Sequence, residues 1–168
     1  MKILLTGGAG FIGSHLAEKL LKDGHDVVAI DDLSTGAASN ITSLKTSTSF
    51  SFVEGSILDS ALINQLVESC DGAIHLGAAL GVKRILDFPY TSFIANTQGT
   101  ENVILAASKF KKRVFIASTS EIYGKNPEQP LTEESDRVIG SPQLLRWAYS
   151  EAKAIDDHLP KCSIIPWP

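Results

Sequence analysis

The protein has 168 residues, of which 43% are hydrophobic and 20% charged, and its formal net charge is −4. This composition excludes a disordered chain, a collagen and a coiled coil, and it suits one domain with a single core. The 15 basic residues are outnumbered by 19 acidic residues, which argues against binding to the phosphates of a nucleic acid.

Neither a membrane span nor a disulfide framework is expected. No apolar run approaches the roughly 20 residues that cross a bilayer. The two cysteines, Cys70 and Cys162, make no disulfide framework and fit a reducing compartment. We therefore expect a cytoplasmic protein. The four histidines show no metal-ligand spacing, so we expect no metal site.

Short apolar runs and helical patterns alternate along the chain. Leucines at helical spacing predict the first helix, Asp59 or Ser60 is a candidate cap for the second, and we expect Pro160 to end the last helix. The predicted strands are 2–6, 26–31, 50–53, 72–76 and 114–117, and the predicted helices are 13–21, 60–68, 91–110 and 148–159. The predicted loops are 33–49, with at most one short helix, and 126–142. This alternation predicts an α/β fold, a doubly wound parallel sheet between two layers of helices, joined by right-handed crossovers.

A glycine-rich segment joins the first strand to the first helix. Gly7, Gly10 and Gly13 follow one another at three-residue spacing, a variant of the dinucleotide-binding fingerprint of Rossmann-like folds. Gly7 would permit the tight turn, Gly10 the approach of a pyrophosphate, and Gly13 close packing of helix on strand. The amides at the start of the helix, from Phe11 and Ile12 onward, would face the anion. A glycine triplet also suits a tight turn that binds nothing.

Asp31 ends the second predicted strand, where a carboxylate can accept hydrogen bonds from both hydroxyls of an adenosine ribose. Its charge would repel a 2′-phosphate, which favours NAD over NADP. In the other interpretation, Asp31 or Asp32 only caps the turn that follows.

Tyr149 and Lys153 are four residues apart on a predicted helix and share one face. Thr119 follows the fifth strand, at the edge where open α/β sheets bind ligands. We expect Lys153 to lower the pKa of Tyr149 by about two units, so that the phenol could take a hydroxyl proton during hydride transfer. Alternatively, the pair is an exposed tyrosine beside a solvated lysine.

Together these segments resemble the extended short-chain dehydrogenases/reductases, and in particular the NAD-dependent nucleotide-sugar epimerases, dehydratases and decarboxylases. The resemblance covers about residues 2–158. It rests on the segments 6–13, 31–36, 75–79, 96–102, 118–124 and 149–153, whose sequences are TGGAGFIG, DDLSTG, HLGAA, NTQGTEN, STSEIYG and YSEAK.

The resemblance implies that bound NAD transiently oxidises C4 of a nucleoside-diphosphate sugar, most simply a UDP-sugar. It implies Tyr149 as the base, Lys153 as its partner at the nicotinamide ribose, and Thr119 as the third catalytic residue. The cofactor-binding residues that it implies are Gly7, Gly10, Phe11, Ile12, Gly13, Asp31, Asp32, Ser56, Ile57, Leu76, Gly77, Ala78, Asn96, Ser118, Tyr149 and Lys153.

Two further residues bear on the type of reaction. Dehydratases of the family usually carry an aspartate where this sequence has Ser120, which weakens dehydration. Glu121 favours decarboxylation mildly, whereas epimerisation is the most common reaction of the family. Both are included among the candidate catalytic residues.

The sequence departs from the family at two places. Ser56 stands where an aspartate usually contacts adenine, and a neutral hydroxyl makes a weaker bond. Residues 1–158 are expected to form the NAD-binding domain and 159–168 an atypical tail, without the C-terminal substrate domain. We therefore expect a truncated, frame-shifted or fragmentary chain, and an NAD-binding module without turnover is the alternative function.

Three residues and the assembly state complete the expectations. His75 is expected to be a packed histidine. Lys83 and Arg84 could contact substrate phosphates or remain solvated. By analogy with the family, a homodimer is possible.

Overall fold

The computed structural model describes residues 1–162 and contains one parallel sheet. Its strands are β1 (Lys2–Thr6), β2 (Asp26–Asp31), β3 (Phe50–Glu54), β4 (Gly72–His75) and β5 (Arg113–Ile116). Their order across the sheet is β3-β2-β1-β4-β5. The order reverses at β1, so the carboxyl ends of β1, β2 and β4 surround the crevice where such sheets bind ligands.

Five α-helices connect or cover the strands in the part of the chain that is described. They are α1 (Phe11–Lys22), α2 (Ser60–Glu68), α3 (Val82–Asp87), α4 (Pro89–Lys109) and α5 (Ala148–Cys162). The Asp59 side chain accepts a hydrogen bond from the amide of Leu62, as expected of a helix cap. Short 3₁₀ helices occur at Ala38–Ile41, Leu44–Thr46, Ser120–Tyr123 and Leu145–Trp147.

Hydrophobic side chains cover both faces of the sheet. On one face, Leu4 and Ile30 pack with Ile63 of α2 and Val103 of α4. On the other, residues such as Leu5, Ala29 and Ala17 of α1 form a second cluster. Burial on both sides explains why the strands are short apolar runs without a strict alternation of polar and apolar residues. The predicted three-layer α/β fold is confirmed.

The predicted elements match the structure in type, with three corrections. Helix α3, at Val82–Asp87, was not predicted, and loop 33–49 contains two 3₁₀ helices where at most one short helix was expected. The expectation that Pro160 ends the last helix is wrong, because α5 continues through Pro160 to Cys162. The proline costs the helix one backbone hydrogen bond, because it has no amide N–H to donate to the carbonyl four residues earlier. Residues 163–168 of the expected tail and the Cys162 side chain lie outside the described residues.

His75, at the carboxyl end of β4, is a buried polar residue next to the crevice. Its side chain is 1% exposed, its Nδ1 lies 2.7 Å from Thr6 Oγ1, and its Nε2 lies 3.1 Å from Thr100 Oγ1. Burial, assisted by the charge of Lys153, lowers the pKa of His75 to about 3. The imidazole is therefore neutral and packed, as expected from the sequence.

This burial predicts that the protein loses stability in acid. The ordinary pKa of histidine is 6.5, whereas His75 in the folded protein has a pKa of about 3. Between these two pH values, His75 is protonated in the unfolded chain and neutral in the folded chain. His75 thus contributes stability that is present above pH 6.5 and declines as the pH falls, by about 2 kcal/mol at pH 5. In His75→Gln, the difference in unfolding free energy between pH 7 and pH 5, measured by urea denaturation, should shrink by that amount.

His158→Gln is the matched control, because the His158 side chain is exposed on α5. This variant should keep the pH dependence of the unmodified protein. The same pH dependence in His75→Gln as in the unmodified protein would contradict the assignment.

Candidate functional site

A cleft of about 470 Å³ opens at the carboxyl ends of β1, β2 and β4. Its size lies within the range of cofactor and substrate pockets. Residues from 7 to 153 line it, so the fold brings together positions that are far apart in sequence. The predicted site residues that line it are Gly7, Gly10, Phe11, Ile12, Gly13, Asp31, Asp32, Ser56, Ile57, Leu76, Gly77, Ala78, Ser118, Tyr149 and Lys153.

The glycine-rich loop turns sharply between β1 and α1. Gly7 has a φ of +70°, which side chains disfavour, and its amide donates to the carbonyl of Ile30 at 2.9 Å. A Cβ on Gly13 would lie 2.1 Å from the Gly7 carbonyl oxygen. Glycine at position 13 therefore lets the first turn of α1 press against the loop, as the sequence predicts.

Helix α1 begins at this loop with its amides free for a ligand. Gly10 caps the helix without a side-chain hydrogen bond, and the first turn holds no acidic residue. The first amides of a helix have no partner within the helix and carry partial positive charge. Phe11, Ile12 and Gly13 line the cleft at this point, so the helix start suits a phosphate.

Asp31 connects the loop to the end of β2. Its Oδ2 accepts from the amide of Ala9 at 3.0 Å, and its Oδ1 accepts from the amide of Leu33 at 2.9 Å. The carboxylate therefore holds both the glycine loop and the turn after β2, as the second interpretation expected. Because each carboxylate oxygen has a second lone pair, Asp31 can still accept hydrogen bonds from a ligand in the cleft.

The neighbouring Asp32 and Ser56 also combine local bonding with a place in the cleft. Asp32 Oδ1 accepts from the amide of Ser34 at 2.9 Å, and Ser56 Oγ accepts from the amide of Leu58 at 3.2 Å. Both residues line the cleft. Ser56 is therefore accessible to a ligand in the cleft, and its contact with an adenine ring stays a prediction.

The segment after β4 forms the cleft wall opposite α1. The amide of Gly77 donates to Thr6 Oγ1 at 3.0 Å. Asn96 does not line the cleft: its side chain is buried in α4, where Oδ1 accepts from the amide of Ala79 at 2.6 Å and Nδ2 donates to the Ala79 carbonyl at 3.1 Å. Asn96 thus holds the backbone of Ala79 in place from the buried side of the segment after β4.

Helix α5 brings Tyr149 and Lys153 into the cleft together. The Lys153 ammonium lies 3.1 Å from Asp156 Oδ2 in an ion pair whose side chains are 4% and 1% exposed. Tyr149 is partly buried and bonds to the side chain of Thr119. Burial raises the pKa of Tyr149, the charge of Glu121 raises it further, and the Thr119 hydrogen bond opposes both.

The expected lowering of the Tyr149 pKa is therefore wrong for the protein without ligand. The phenol loses hydration on burial, and the Asp156 carboxylate offsets the positive charge of Lys153 in their ion pair. The charge of Asp156 itself raises the pKa of Tyr149 as well.

The remaining residues of the segment 118–121 lie beside the cleft. Ser118 lines it and donates to Asp157 Oδ2 at 2.8 Å. Thr119, Ser120 and Glu121 do not line it, although Thr119 contacts Tyr149. The Glu121 carbonyl accepts from Ser150 Oγ at 2.8 Å, while its side chain is exposed. The structure therefore brings this segment against the start of α5.

Several cleft residues escaped the sequence analysis or were left open by it. Arg84 of α3 lines the cleft and donates to the Ser34 carbonyl at 3.3 Å, whereas its neighbour Lys83 is exposed and does not line it. Thr91 and Ala95 line it from α4. Their spacing of four residues is the only sequence signal that could have identified this helix face.

Within residues 1–162, no group of three or more His, Cys, Asp or Glu side chains is placed to hold a metal ion. None of the helices in this range is long and apolar enough to cross a bilayer.

Three comparisons place the chain among known proteins. It is 40% identical over 158 residues to the UDP-N-acetyl-alpha-D-glucosaminuronate decarboxylase of Bacillus cytotoxicus, covering 94% of this chain and 48% of the relative. It is 42% identical over 145 residues to the UDP-glucose 4-epimerase of Mycolicibacterium smegmatis, covering 84% and 46%. The Bordetella bronchiseptica enzyme WbmG, crystallised with NAD, superposes with a TM-score of 0.83 at 29% identity, covering 99% of this chain and 51% of that one.

The chain spans about half the length of the curated relatives that it matches. The sequence model described as GDP-mannose 4,6 dehydratase matches residues 4–162, nearly all of the described structure. By this match, the chain belongs to the GDP-mannose 4,6-dehydratase family, whose curated relatives include nucleotide-sugar decarboxylases, epimerases and dehydratases.

Proposed function

We propose that the chain binds NAD and carries the catalytic residues of an enzyme that modifies a nucleoside-diphosphate sugar through transient oxidation at C4. The observation that carries this proposal is the single cleft in which the glycine loop and Asp31 meet Tyr149 and Lys153. The loop suits a diphosphate, and the tyrosine–lysine pair suits proton transfer from an alcohol.

The cleft residues fit an adenine dinucleotide. The uncapped start of α1 offers amides to the diphosphate, and any side chain at position 13 would collide with the Gly7 carbonyl. Asp31, at the end of β2, would accept hydrogen bonds from the adenosine ribose. Ser56 and Ile57 would border the adenine, and Leu76, Gly77 and Ala78 would form the opposite wall. WbmG, with the same fold, was crystallised with NAD, which supports this assignment.

Residues of this chain would accept the proton that the 4-hydroxyl group of the sugar loses. Bound NAD supplies a hydride acceptor. The Tyr149 side chain, as the phenolate, would accept the proton of the 4-hydroxyl group, and Thr119 holds the Tyr149 oxygen by its hydrogen bond. The Lys153 ammonium lies one helical turn away, where its charge favours the phenolate over the phenol. Burial of Tyr149 works against ionisation, so the positive charge is needed.

A UDP-sugar is the proposed substrate, with decarboxylation or epimerisation favoured over dehydration. Two relatives with substantial identity act on UDP-sugars by name, one as a decarboxylase and one as a 4-epimerase. Ser120 cannot serve as the acid that dehydration requires, because a serine hydroxyl does not carry a labile proton at neutral pH. Glu121 is exposed beside Tyr149, where it could assist a decarboxylation.

A second candidate is NAD binding without turnover. The buried ion pair between Lys153 and Asp156 favours it, because a lysine engaged by a carboxylate assists the tyrosine less. The two candidates share the cofactor site and differ only in turnover.

The cofactor assignment predicts tighter binding of NAD than of NADP. Calorimetric titration should give at least about a tenfold preference for NAD, since the Asp31 carboxylate repels a 2′-phosphate. Asp31→Asn should weaken NAD binding by about tenfold or more, because a hydrogen bond to a charged acceptor is lost. It should also reduce the preference for NAD.

Asp26→Asn is the matched control, since Asp26 is exposed at the opposite end of the same strand. It should bind both nucleotides as the unmodified chain does. Absence of NAD binding by the unmodified chain would contradict both candidate functions.

Turnover separates the candidates. The chain is incubated with NAD and either UDP-glucose or UDP-glucuronate, and the sugar products are separated by chromatography. Under the first candidate, Tyr149→Phe abolishes conversion, because the proton acceptor is removed, and leaves the NAD affinity within about twofold. Undiminished conversion in that variant would remove Tyr149 from its role. NAD binding without conversion of either sugar by the unmodified chain would favour the second candidate.

The homodimer and the cytoplasmic location stay predictions from the sequence, as do the assignments of 1–158 and 159–168 as NAD-binding domain and tail.

A further inference from the structure

The ammonium of Lys153 has a buried counter-ion within its own helix. Asp156 lies one turn further along α5, with Oδ2 3.1 Å from Lys153 Nζ. The two side chains are 4% and 1% exposed. Such a pair is held firmly, because removing either partner leaves a buried charge uncompensated.

A chain of hydrogen bonds links this ion pair to the wall of the cleft. The chain starts at Gly77, whose amide nitrogen lies 3.0 Å from Thr6 Oγ1, and Thr6 Oγ1 lies 2.7 Å from His75 Nδ1. On the other side of the imidazole ring, His75 Nε2 lies 3.1 Å from Thr100 Oγ1. The chain ends where Thr100 Oγ1 lies 3.1 Å from Asp156 Oδ2. A neutral imidazole donates once and accepts once. If Gly77 donates to Thr6, Thr6 to Nδ1, and Nε2 to Thr100, every group of His75 is used.

The Thr100 hydroxyl, at the end of that chain, has two alternative acceptors. The Thr100 hydroxyl lies 2.7 Å from the Asn96 carbonyl oxygen and 3.1 Å from Asp156 Oδ2, and it has one proton to donate. Asp156 Oδ1 is buried and has no hydrogen-bond partner among the described residues. The carboxylate is therefore incompletely satisfied, although it is fully buried.

We propose that Asp156 is a positioning residue, which fixes the Lys153 ammonium and limits how much of its positive charge acts on the Tyr149 hydroxyl. This inference rests on the proposed function, in which Tyr149 moves the proton of the substrate. Residues 149, 153 and 156 lie at i, i+4 and i+7 on α5 and share one helix face. Along that face, Lys153 lies between Tyr149 and Asp156.

Other charged groups near these residues would act in addition. Glu121 acts on Tyr149 from the 3₁₀ helix Ser120–Tyr123, and Asp157 acts on Asp156 from the next position of α5. Helix α4 presents the uncharged Thr100 hydroxyl to Asp156, and β4 presents the neutral His75. Arg146, on the short helix before α5, is exposed and stacks near the Trp147 ring. Asp156 is therefore the buried acid directly opposed to Lys153.

The titration of the Tyr149 phenol tests this role without cofactor or substrate. The chain has three tyrosines, so Tyr90→Phe with Tyr123→Phe leaves Tyr149 as the single reporter at 295 nm. Each alkaline point is read within milliseconds of a pH jump, before unfolding. The rise between positions 149 and 156 is about 10.5 Å. At that separation and an effective dielectric constant of about 20, Asp156→Asn should lower the midpoint by about one pH unit.

Asp157→Asn is the control for loss of an acid from the same turn of α5. It should move the midpoint by less than a third of the shift in Asp156→Asn, because Asp157 is only partly buried. Water therefore screens its charge at an effective dielectric constant nearer 80 than 20, and Asp157 is not the partner of Lys153. Asp156→Ser, which is also neutral and can still bond Lys153, is scored if circular dichroism shows that the Asn variant is unfolded.

An unchanged midpoint in the folded neutral variant, or an equal shift in Asp157→Asn, would overturn the proposal. Because the titration uses the unliganded chain, its outcome is independent of the calorimetry with NAD. A missing midpoint shift in a chain that binds NAD refutes the role of Asp156 alone. A shift in a chain that does not bind NAD refutes the proposed function alone.

Discussion

The contact between the Gly7 carbonyl oxygen and Gly13 determines how close the first turn of helix α1 lies to the sheet. The geometry of the cleft depends on this contact. A Cβ at position 13 would lie 2.1 Å from that oxygen, so any side chain would push the helix away. The amides at the helix start, and the Ala9 amide that binds Asp31, would move with it. One steric constraint thus sets the distance between the anion-binding end of the helix and the carboxylate at the end of β2.

Much of the fold could be predicted because its signals are local. Each strand is a short apolar run, and helices such as 60–68 begin at a recognisable cap, here Asp59. Helix α3 was missed because its six residues carry too few turns for a periodic pattern. The expected stop at Pro160 was wrong, because α5 accommodates a residue without an amide donor and continues to Cys162.

The site could be predicted in its residues but less well in its electrostatics. Fifteen of the predicted residues line the cleft, but Asn96 and Thr119 do not. Asn96 is buried beneath the segment after β4, and Thr119 forms a hydrogen bond with Tyr149. The Lys153–Asp156 pair is local to α5, at i and i+3, but α4 also contacts it by supplying the Thr100 hydroxyl from 56 residues away in sequence. Burial of Tyr149 reverses the expected direction of its pKa, and helical spacing does not reveal how deeply a side chain is buried.

Two apolar side chains that line the cleft are exposed to solvent. Phe11 is 79% exposed and Ile12 is 66% exposed, directly where α1 begins. Their position at the helix start follows from the glycine turn, which leaves no other element to cover them in the part of the chain described here. A ligand that lies over them removes apolar surface from water, so association at this site carries a negative heat-capacity change. Its enthalpy therefore becomes more favourable as the temperature rises.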